Sequence, residues 1–445
     1  MRKTLTTLAI CTILLTPAAL IAAEPATPQL AYQLVEELTT EVGPRLVGTP
    51  ADAKAVEWAT KRLKSLGFDK VWTEEFTTPF WQRGQARLEI VAPFPQSLVL
   101  AALGGSVSTP EQGIDASVVM FNSLEELMAA DRSKVVGKIV FINKVMTKDR
   151  QGSQYGKVVG GRSKGAVEAA KLGAKAIIIR SVGTSNNRFA HTGKMTYEEG
   201  VAKIPAAAIS VPDAQQLARI LAKAPDAKIK LNLQTSTEDA ISHNVIAEMT
   251  GTERPNEIVL IGAHLDSWDQ GTGALDDGAG VGIVMATAVL VKQQAKPKRT
   301  IRVVLYGNEE GGLVGARAYA AKHSQELKNH VFASESDFGA GRIWQFDTGF
   351  GNKALSYAAE IQKKLAPLGI QPGNNQAFGG PDVSVLKPLG VPVATLEQDG
   401  TDYFDFHHTP NDTLDKIDPK ALEQNVQAWV IMTSMVANSD TDFRQ

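Results

Sequence analysis

Residues 258–291, IVLIGAHLDSWDQGTGALDDGAGVGIVMATAVLV, carry the pattern from which the fold of this chain can be predicted. The apolar run at 258–262 predicts a buried strand, and the small and apolar residues at 278–291 predict a helix. Further strands and helices alternate after them: strand 301–306, helix 313–322, strand 331–334, helix 354–365, strand 391–396 and helix 419–437. This alternation predicts an α/β fold with a mixed, largely parallel sheet covered by helices on both faces.

The part of the chain before this pattern does not show the same regular alternation of strands and helices. Two amphipathic helices are predicted at 29–42 and 51–66, and a small, Gly-rich stretch at 101–107 then begins a new set of short strands and helices. This set ends at a linker near residue 235. We therefore interpret 107–235 as an inserted domain, with 24–106 and 236–445 forming the main domain.

The first 23 residues have the features of a secretory signal. Arg2 and Lys3 precede an apolar run at 5–15, and the stretch AALIAA at 18–23, which ends in small residues, follows it. We expect cleavage near Ala23, export to the periplasm or the medium, and no attachment to a membrane afterwards. Because Cys11 is the only cysteine, cleavage would leave neither disulfides nor thiolate metal ligands.

Charge and composition exclude several other classes of protein. Of the 46 basic and 48 acidic residues, cleavage would remove two basic ones, which leaves a net charge of −4. This balance gives no support for nucleic-acid binding. The 43% of hydrophobic and 21% of charged residues are typical of a soluble globular protein. The oligomeric state stays open, and a homodimer is compatible with the sequence.

Clusters of histidine and carboxylate residues follow the predicted strands or open the next helix. They are His264 with Asp266, Asp276 with Asp277, Glu309 with Glu310, Glu335 with Asp337, and His407 with His408. Each cluster alone could be a helix cap or a solvated turn. In parallel sheets, however, ligands bind beyond the carboxyl ends of the strands, so the clusters are expected to converge. Several converging carboxylates would repel one another and lose hydration unless a cation lies between them.

The residue types indicate which cation to expect. Imidazole and carboxylate without thiolate suit zinc, although other divalent ions are compatible with them. Two histidines and three carboxylates are enough to hold a pair of zinc ions that share one carboxylate. The sequence therefore predicts a cofactor of two zinc ions per chain.

Five motifs, HLDSW, LDDGAG, NEEGG, ESD and FHHTPNDT, resemble in order and spacing those of the co-catalytic zinc exopeptidases. The resemblance is strongest to the carboxypeptidase Q branch. It covers nearly the whole chain after the leader, and 107–235 looks like a protease-associated domain. By position, the resemblance implies five zinc ligands: His264, Asp337 and the bridging Asp276 at one ion, and Asp276, Glu310 and His408 at the other.

The resemblance also implies catalytic roles for two carboxylates. Glu309 would be the general base that takes a proton from a zinc-bridging water, and Asp266 would orient His264 from behind. Two choices are set by the family pattern rather than by the residues themselves. Glu335 could replace Asp337, and His407 could replace His408.

The implied function is hydrolysis of dipeptides or short peptides with free termini. The main alternative is an aminopeptidase that acts on longer peptides. Glutaminyl cyclase activity and a non-enzymatic role like that of transferrin receptor ectodomains fit less well, because the full ligand set and the base are present. Outside these motifs, we expect His191 to lie in a surface loop; the alternative is that it reaches the cleft from the insertion. Residues 379–382 are expected to form either a turn or a loop near the substrate.

Overall fold

The structure is a computed structural model, and it describes residues 29–445. The predicted signal sequence at 1–23 lies outside the described residues. The strands are β1 Lys70–Ala92, β2 Gln96–Leu98, β3 Leu100–Ala102, β4 Ile114–Phe121, β5 Ile139–Ile142, β6 Ala176–Arg180, β7 Ala206–Ile209, β8 Lys228–Met249, β9 Arg254–His264, β10 Arg299–Tyr306, β11 His330–Glu335, β12 Ile343–Gly349, β13 Gln371–Pro372 and β14 Val393–Gln398.

Helices connect and cover these strands. They are α1 Leu30–Glu37, α2 Pro50–Ser65, α3 Leu124–Met128, α4 Arg132–Val135, α5 Ser153–Val158, α6 Gly160–Ser163, α7 Gly165–Lys171, α8 Val211–Lys223, α9 Ala279–Gln294, α10 Val314–Lys322, α11 Leu355–Leu365, α12 Tyr403–Phe406 and α13 Pro419–Asn438. π-Helical turns at Leu38–Val42 and Ala274–Gly278 extend α1 and precede α9. Capping explains where α2 begins, since Thr49 accepts a hydrogen bond from the Asp52 N–H and Pro50 is the first helical residue.

The central sheet is mixed and largely parallel. Strands β10, β9, β11 and β14 lie side by side in parallel, and antiparallel β8 and β12 flank them. Alternate residues of β9 enter two cores. Val259 and Ile261 pack in the core that also contains α1, α9 and α13, whereas Ile258 and Leu260 pack in the core that contains α10. The predicted α/β class, with helices on both faces, is confirmed.

Helix α9 lies largely in the interior, with 12 of its 16 residues buried. With the turn before it, α9 forms the helical stretch Ala274–Gln294. Among residues 29–445, this is the one helical stretch that is long and apolar enough to cross a membrane. However, 94% of its most apolar window is buried inside the protein. Burying a Val or Ile side chain contributes about 1.5–3 kcal/mol. The apolar run in the sequence therefore reflects a core helix that holds the central sheet.

Strands β1 and β8 form a ribbon that links two parts of the sheet. They pair antiparallel from Lys70 with Glu248 to Ala92 with Lys228. One end of β8 pairs with β10, and the other pairs with β4, which leads into the parallel strands β5, β6 and β7. Strand β3, before residue 107, pairs with β7 in this second part. The division at 107 and 235 and the protease-associated character of the insertion stay predictions.

Candidate metal centre

The carboxyl ends of three parallel strands bring the predicted residues to one edge of the sheet. His264, the last residue of β9, is level with Tyr306 at the end of β10, and Glu335 of β11 pairs with Gly262. The segments that follow β10 and β11 therefore leave the sheet beside His264. These segments carry Glu309, Glu310 and Asp337.

The first group of potential ligands surrounds His264. Its Nε2 atom lies 3.1 Å from Asp276 Oδ1 and 3.5 Å from Asp337 Oδ1. One donor atom from each of these three residues lies within 4.8 Å of the others. Burial opposes protonation of His264, but the neighbouring carboxylates of Asp337, Asp266 and Asp276 outweigh it and raise its pKa well above the usual value.

The second group surrounds His408. Its Nε2 atom lies 3.1 Å from Glu310 Oε2 and 3.3 Å from Asp276 Oδ2. His407 stacks on His408 with 3.5 Å between ring centroids, and its Nε2 atom lies 3.7 Å from Asp276 Oδ2. His408 thus contacts two of the predicted carboxylates, whereas among the predicted carboxylates His407 contacts Asp276. Asp276 reaches the histidines of both groups, with a different oxygen for each.

The donor atoms at this edge suit cations. Asp276 and Glu310 are only 5% and 6% exposed, and among the described residues Asp276 Oδ2 and Glu310 Oε1 have no hydrogen-bond partner. Buried carboxylate oxygens without a donor are costly unless a cation or a proton compensates them. Imidazole nitrogens and carboxylate oxygens are the ligands that zinc accepts when thiolate is absent.

Glu335, the alternative to Asp337, has a different environment. Its Oε2 atom accepts a hydrogen bond of 3.0 Å from the Val383 N–H, in the turn that follows 379–382. Asp337 instead points to His264. The geometry favours Asp337 as the ligand, and that choice remains a prediction.

Glu309 lies beside the two groups with a partly exposed side chain. Together with Glu310, Asp337 and His408 it lines a cavity of 460 Å³. Burial raises the pKa of Glu309 well above its usual value; His264 opposes this shift, whereas Asp337 and Glu310 reinforce it. A carboxylate with a raised pKa and access to a cavity is suited to accept and return a proton near neutral pH.

Asp266 contacts both His264 and the turn that carries Glu309 and Glu310. Its Oδ1 accepts the Glu309 N–H at 3.0 Å, and its Oδ2 accepts the Glu310 N–H at 3.3 Å. The Nδ1 atom of His264 lies 3.0 Å from the backbone oxygen of Asp266 and 3.6 Å from its Oδ1. The carboxylate therefore positions the Glu309–Glu310 turn, while the nearer acceptor for His264 is the Asp266 backbone carbonyl. That Asp266 orients His264 for catalysis stays a prediction.

Comparisons with known proteins identify the family. Residues 244–433 match the description "Peptidase family M28". Carboxypeptidase Q of Rattus norvegicus is 37% identical over 411 residues, which cover 92% of this chain and 85% of that protein. The chain belongs to peptidase family M28. It is therefore an enzyme that hydrolyses peptide bonds, and the resemblance to the zinc exopeptidases is confirmed.

Solved structures agree with this family fold. A peptidase M28 precursor from Shewanella amazonensis SB2B is 53% identical, with a TM-score of 0.92, over 94% of this chain and 95% of that chain. BSAP, a zinc aminopeptidase from Bacillus subtilis, is 22% identical with a TM-score of 0.68, over 95% and 98% of the two chains. The second likeness shows the fold alone.

The site of this M28 peptidase also includes residues that its sequence did not single out. Arg45, in the connector at 43–50, is fully buried and donates hydrogen bonds to the carbonyl oxygens of Leu265 at 2.5 Å, Thr272 at 2.8 Å and Gly273 at 2.9 Å. It thus fixes the loop between β9 and the turn that carries Asp276. The sequence of this connector, GPRLVGTP, does not signal the contact.

Two further aspartates hold the backbone around the bridging residue. Asp277 Oδ2 accepts the His264 N–H at 3.2 Å. Asp412 accepts the N–H groups of Leu275 at 2.6 Å and Asp276 at 3.2 Å, and burial raises the pKa of Asp412 to about 7. Both aspartates lie inside the quoted motifs LDDGAG and FHHTPNDT, so their positions gave a signal, although their roles did not.

Two residues of the segment 107–235, His191 and Thr192, contact the site directly. His191 is buried rather than exposed, so the expectation of a surface loop is wrong. Its Nδ1 atom lies 2.8 Å from the His407 carbonyl oxygen, and burial lowers its pKa to about 3, which keeps it neutral. Thr192 donates its N–H to the His408 carbonyl oxygen at 3.0 Å. The surface prediction failed because this loop packs on the 407–408 turn instead of facing solvent.

Proposed function

We propose that this chain is a two-zinc exopeptidase that hydrolyses dipeptides or short peptides with free termini. The observation that carries the proposal is the position of Asp276, whose two oxygens face His264 and His408 separately. His264, Asp276 and Asp337 would hold one zinc, and Asp276, Glu310 and His408 the other. Zinc, when bound, would activate water and polarise the carbonyl of the scissile bond.

The chain's own residues would handle the proton. The carboxylate of Glu309 would accept the proton of the attacking water and return it to the nitrogen of the departing amine. Asp266 would keep the Glu309 carboxylate in place through the two backbone N–H groups that it accepts. His264 would be held by the Asp266 carbonyl and by Asp277, which accepts its backbone N–H.

Assays with and without metal test this proposal. Chelation is expected to abolish hydrolysis of free dipeptides and added zinc to restore it, because the proposed chemistry has no protein nucleophile. Amino-blocked dipeptides and longer peptides should be cleaved more slowly than free dipeptides. Activity that survives complete removal of metal would contradict the zinc mechanism. Faster stepwise cleavage of longer peptides from the amino end would favour the aminopeptidase alternative.

The remaining expectations accompany this proposal. Export through the leader at 1–23 suits an enzyme for small peptides outside the cytoplasm. We also keep the two-part organisation, with 24–106 and 236–445 as the catalytic domain and 107–235 as an inserted protease-associated-like domain. The contacts of His191 and Thr192 with the 407–408 turn support a close functional link between the two parts.

A further inference from the structure

Glu310 of the candidate metal centre lines two cavities that differ in their charged residues. Six carboxylates line the cavity of 460 Å³ that contains Glu309, together with the cations Arg162 and Lys194. Three of the carboxylates, those of Asp276, Glu310 and Asp337, are proposed zinc ligands, and the other three belong to Glu309, Glu335 and Glu397. The second cavity, of 680 Å³, is lined by the cations Lys194, Lys203 and Arg317 and by a single carboxylate, that of Glu310. A dipeptide with free ends carries an ammonium group at one end and a carboxylate at the other, so it offers a partner to a carboxylate in one cavity and to a cation in the other.

Lys194 lines both cavities. It follows the loop segment of the insertion that contacts the 407–408 turn, and a backbone bridge joins it to Gly104. Its Nζ atom lies so close to Gly312 that a Cβ there would be 2.5 Å away. Because the Gly312 N–H donates to the Glu309 carbonyl oxygen at 2.6 Å, the ammonium group sits beside the turn that carries the proposed base.

The ammonium group of Lys194 has no hydrogen-bond or ion-pair partner among the residues that the structure describes. Its side chain is half-buried, and burial lowers its pKa, as does Arg317, while Glu309 acts in the opposite direction. A partly desolvated cation without a bound anion is unfavourable, and a ligand carboxylate would offset that cost.

The other two cations of this cavity are less suited to that task. Arg317 is exposed and donates to the Gly312 carbonyl oxygen. Lys203 is exposed, and its Nζ lies 5.7 Å from the ring centroid of Tyr197. Of the three, only Lys194 also lines the cavity that holds Glu309.

We propose that Lys194 binds the C-terminal carboxylate of the substrate and thereby selects dipeptides over amides and longer chains. The 680 Å³ cavity then receives the residue that leaves with the new amine, and the acidic cavity receives the residue with the free ammonium. This inference rests on the proposed exopeptidase function, and it makes Lys194 a specificity-determining residue contributed by the insertion.

The test compares a dipeptide with its C-terminal amide, using the dipeptide that wild-type enzyme cleaves best. Lys194→Met removes the charge but keeps the length of the side chain, Lys194→Arg keeps the charge, and Lys203→Met removes a charge from the same cavity. Lys194→Met is expected to lose about 10- to 100-fold in kcat/KM on the free acid, mainly through KM, because a hydrogen bond to a charged group is lost. Its rate on the amide and its zinc content should stay unchanged.

Each outcome of this comparison decides something. The acid preference is the ratio of kcat/KM on the free dipeptide to kcat/KM on its amide. The inference is supported if Lys194→Arg recovers most of this ratio and Lys203→Met leaves it unchanged. Equal losses on acid and amide would mean that Lys194 acts on Glu309 or on folding, and would overturn it. An unchanged preference in Lys194→Met would also overturn it, while leaving the exopeptidase proposal intact. No zinc-dependent hydrolysis of either substrate by the wild type would refute both.

Discussion

Asp276 joins the two halves of the site at the scale of single residues. It is 5% exposed, and its two oxygens face different histidines. Two residues hold its backbone surroundings in place. Asp412 accepts a hydrogen bond from the Asp276 N–H, and Arg45 donates hydrogen bonds to carbonyl oxygens of the preceding loop. The geometry of the pair of proposed zinc sites therefore depends on groups that would not themselves touch a metal.

The neighbouring glutamates Glu309 and Glu310 provide the first prediction. Glu309→Gln cannot take up a proton, so we expect a loss of about 10²- to 10⁴-fold in kcat with both zincs still bound. Glu310→Gln replaces an anionic ligand of His408's group with a neutral one, so it should lose zinc from one site and lose activity as a consequence. Activity assays and elemental analysis on the same samples measure both effects.

Excess zinc separates the two roles in this experiment. It should partly rescue Glu310→Gln and leave Glu309→Gln inactive. The reverse pattern would mean that the two roles are exchanged. Full activity in both variants would mean that the acidic pair is a solvated turn without a part in catalysis.

The roles of His264, Asp276, Glu310, Asp337 and His408 as zinc ligands stay predictions. Sequence reasoning did predict that side chains after the strand ends would converge, and these five side chains lie close together. It failed for Arg45, because its partners are carbonyl oxygens more than 200 residues away in the chain. Backbone carbonyls exist at every position, so no pattern of residue types could reveal those contacts.

At the scale of elements, the loop between β9 and the π-helical turn depends on the connector before α2. Arg45→Lys keeps the positive charge but replaces the planar guanidinium group with an ammonium group, which cannot donate to the three carbonyl oxygens in the same geometry. We expect the free energy of unfolding to fall by about 2–4 kcal/mol, because buried acceptors lose their donors. Zinc should also dissociate more easily, since the turn with Asp276 loosens.

A matched control is Arg87→Lys, at an arginine of β1 whose side chain is 71% exposed and pairs with Glu89. Surface ion pairs contribute little, so its unfolding free energy should change by less than about 1 kcal/mol. Denaturant unfolding and zinc competition with a chelator measure both variants. Equal behaviour of Arg45→Lys and Arg87→Lys would show that the connector does not support the loop.

At the scale of the whole molecule, the β1–β8 ribbon joins the central sheet, through β10, to the second group of strands, through β4. The sequence predicted two parts but not this ribbon. In β8 the apolar alternation of Ile229, Leu231 and Leu233 stops at the polar stretch QTSTED, residues 234–239, so the sequence does not show one continuous strand. It also missed β12, whose segment IWQFDTG mixes polar and aromatic residues. The parallel centre was predictable because its strands are continuous apolar runs, which is typical of strands buried on both faces.

Acid stability is a property of the whole fold that His330 should control in part. His330 is buried at the start of β11, with Nε2 2.7 Å from the Tyr319 hydroxyl, and burial followed by nearby Arg302 lowers its pKa from 6.5 to about 4. At a pH between these two pKa values, His330 binds a proton in the unfolded chain but not in the folded chain. The free energy of unfolding should therefore fall by about 2–3 kcal/mol through this group as the pH drops from 6.5 to 4.

Denaturant unfolding at pH 7 and near pH 4.5, in the presence of chelator, tests this expectation. His330→Gln removes the titrating group, so its stability should depend less on pH than that of the wild type. His243→Gln, at a partly exposed position of β8, serves as the control and should retain the wild-type dependence. An identical pH dependence in His330→Gln and wild type would contradict the argument.

The measurement that tests the central claim most directly is anomalous diffraction at the zinc edge, from crystals of protein purified without chelator and supplied with zinc. The proposal predicts two zinc peaks per chain, one among His264, Asp276 and Asp337 and the other among Asp276, Glu310 and His408. A single peak, peaks remote from Asp276, or no peak in protein that still hydrolyses dipeptides would contradict it.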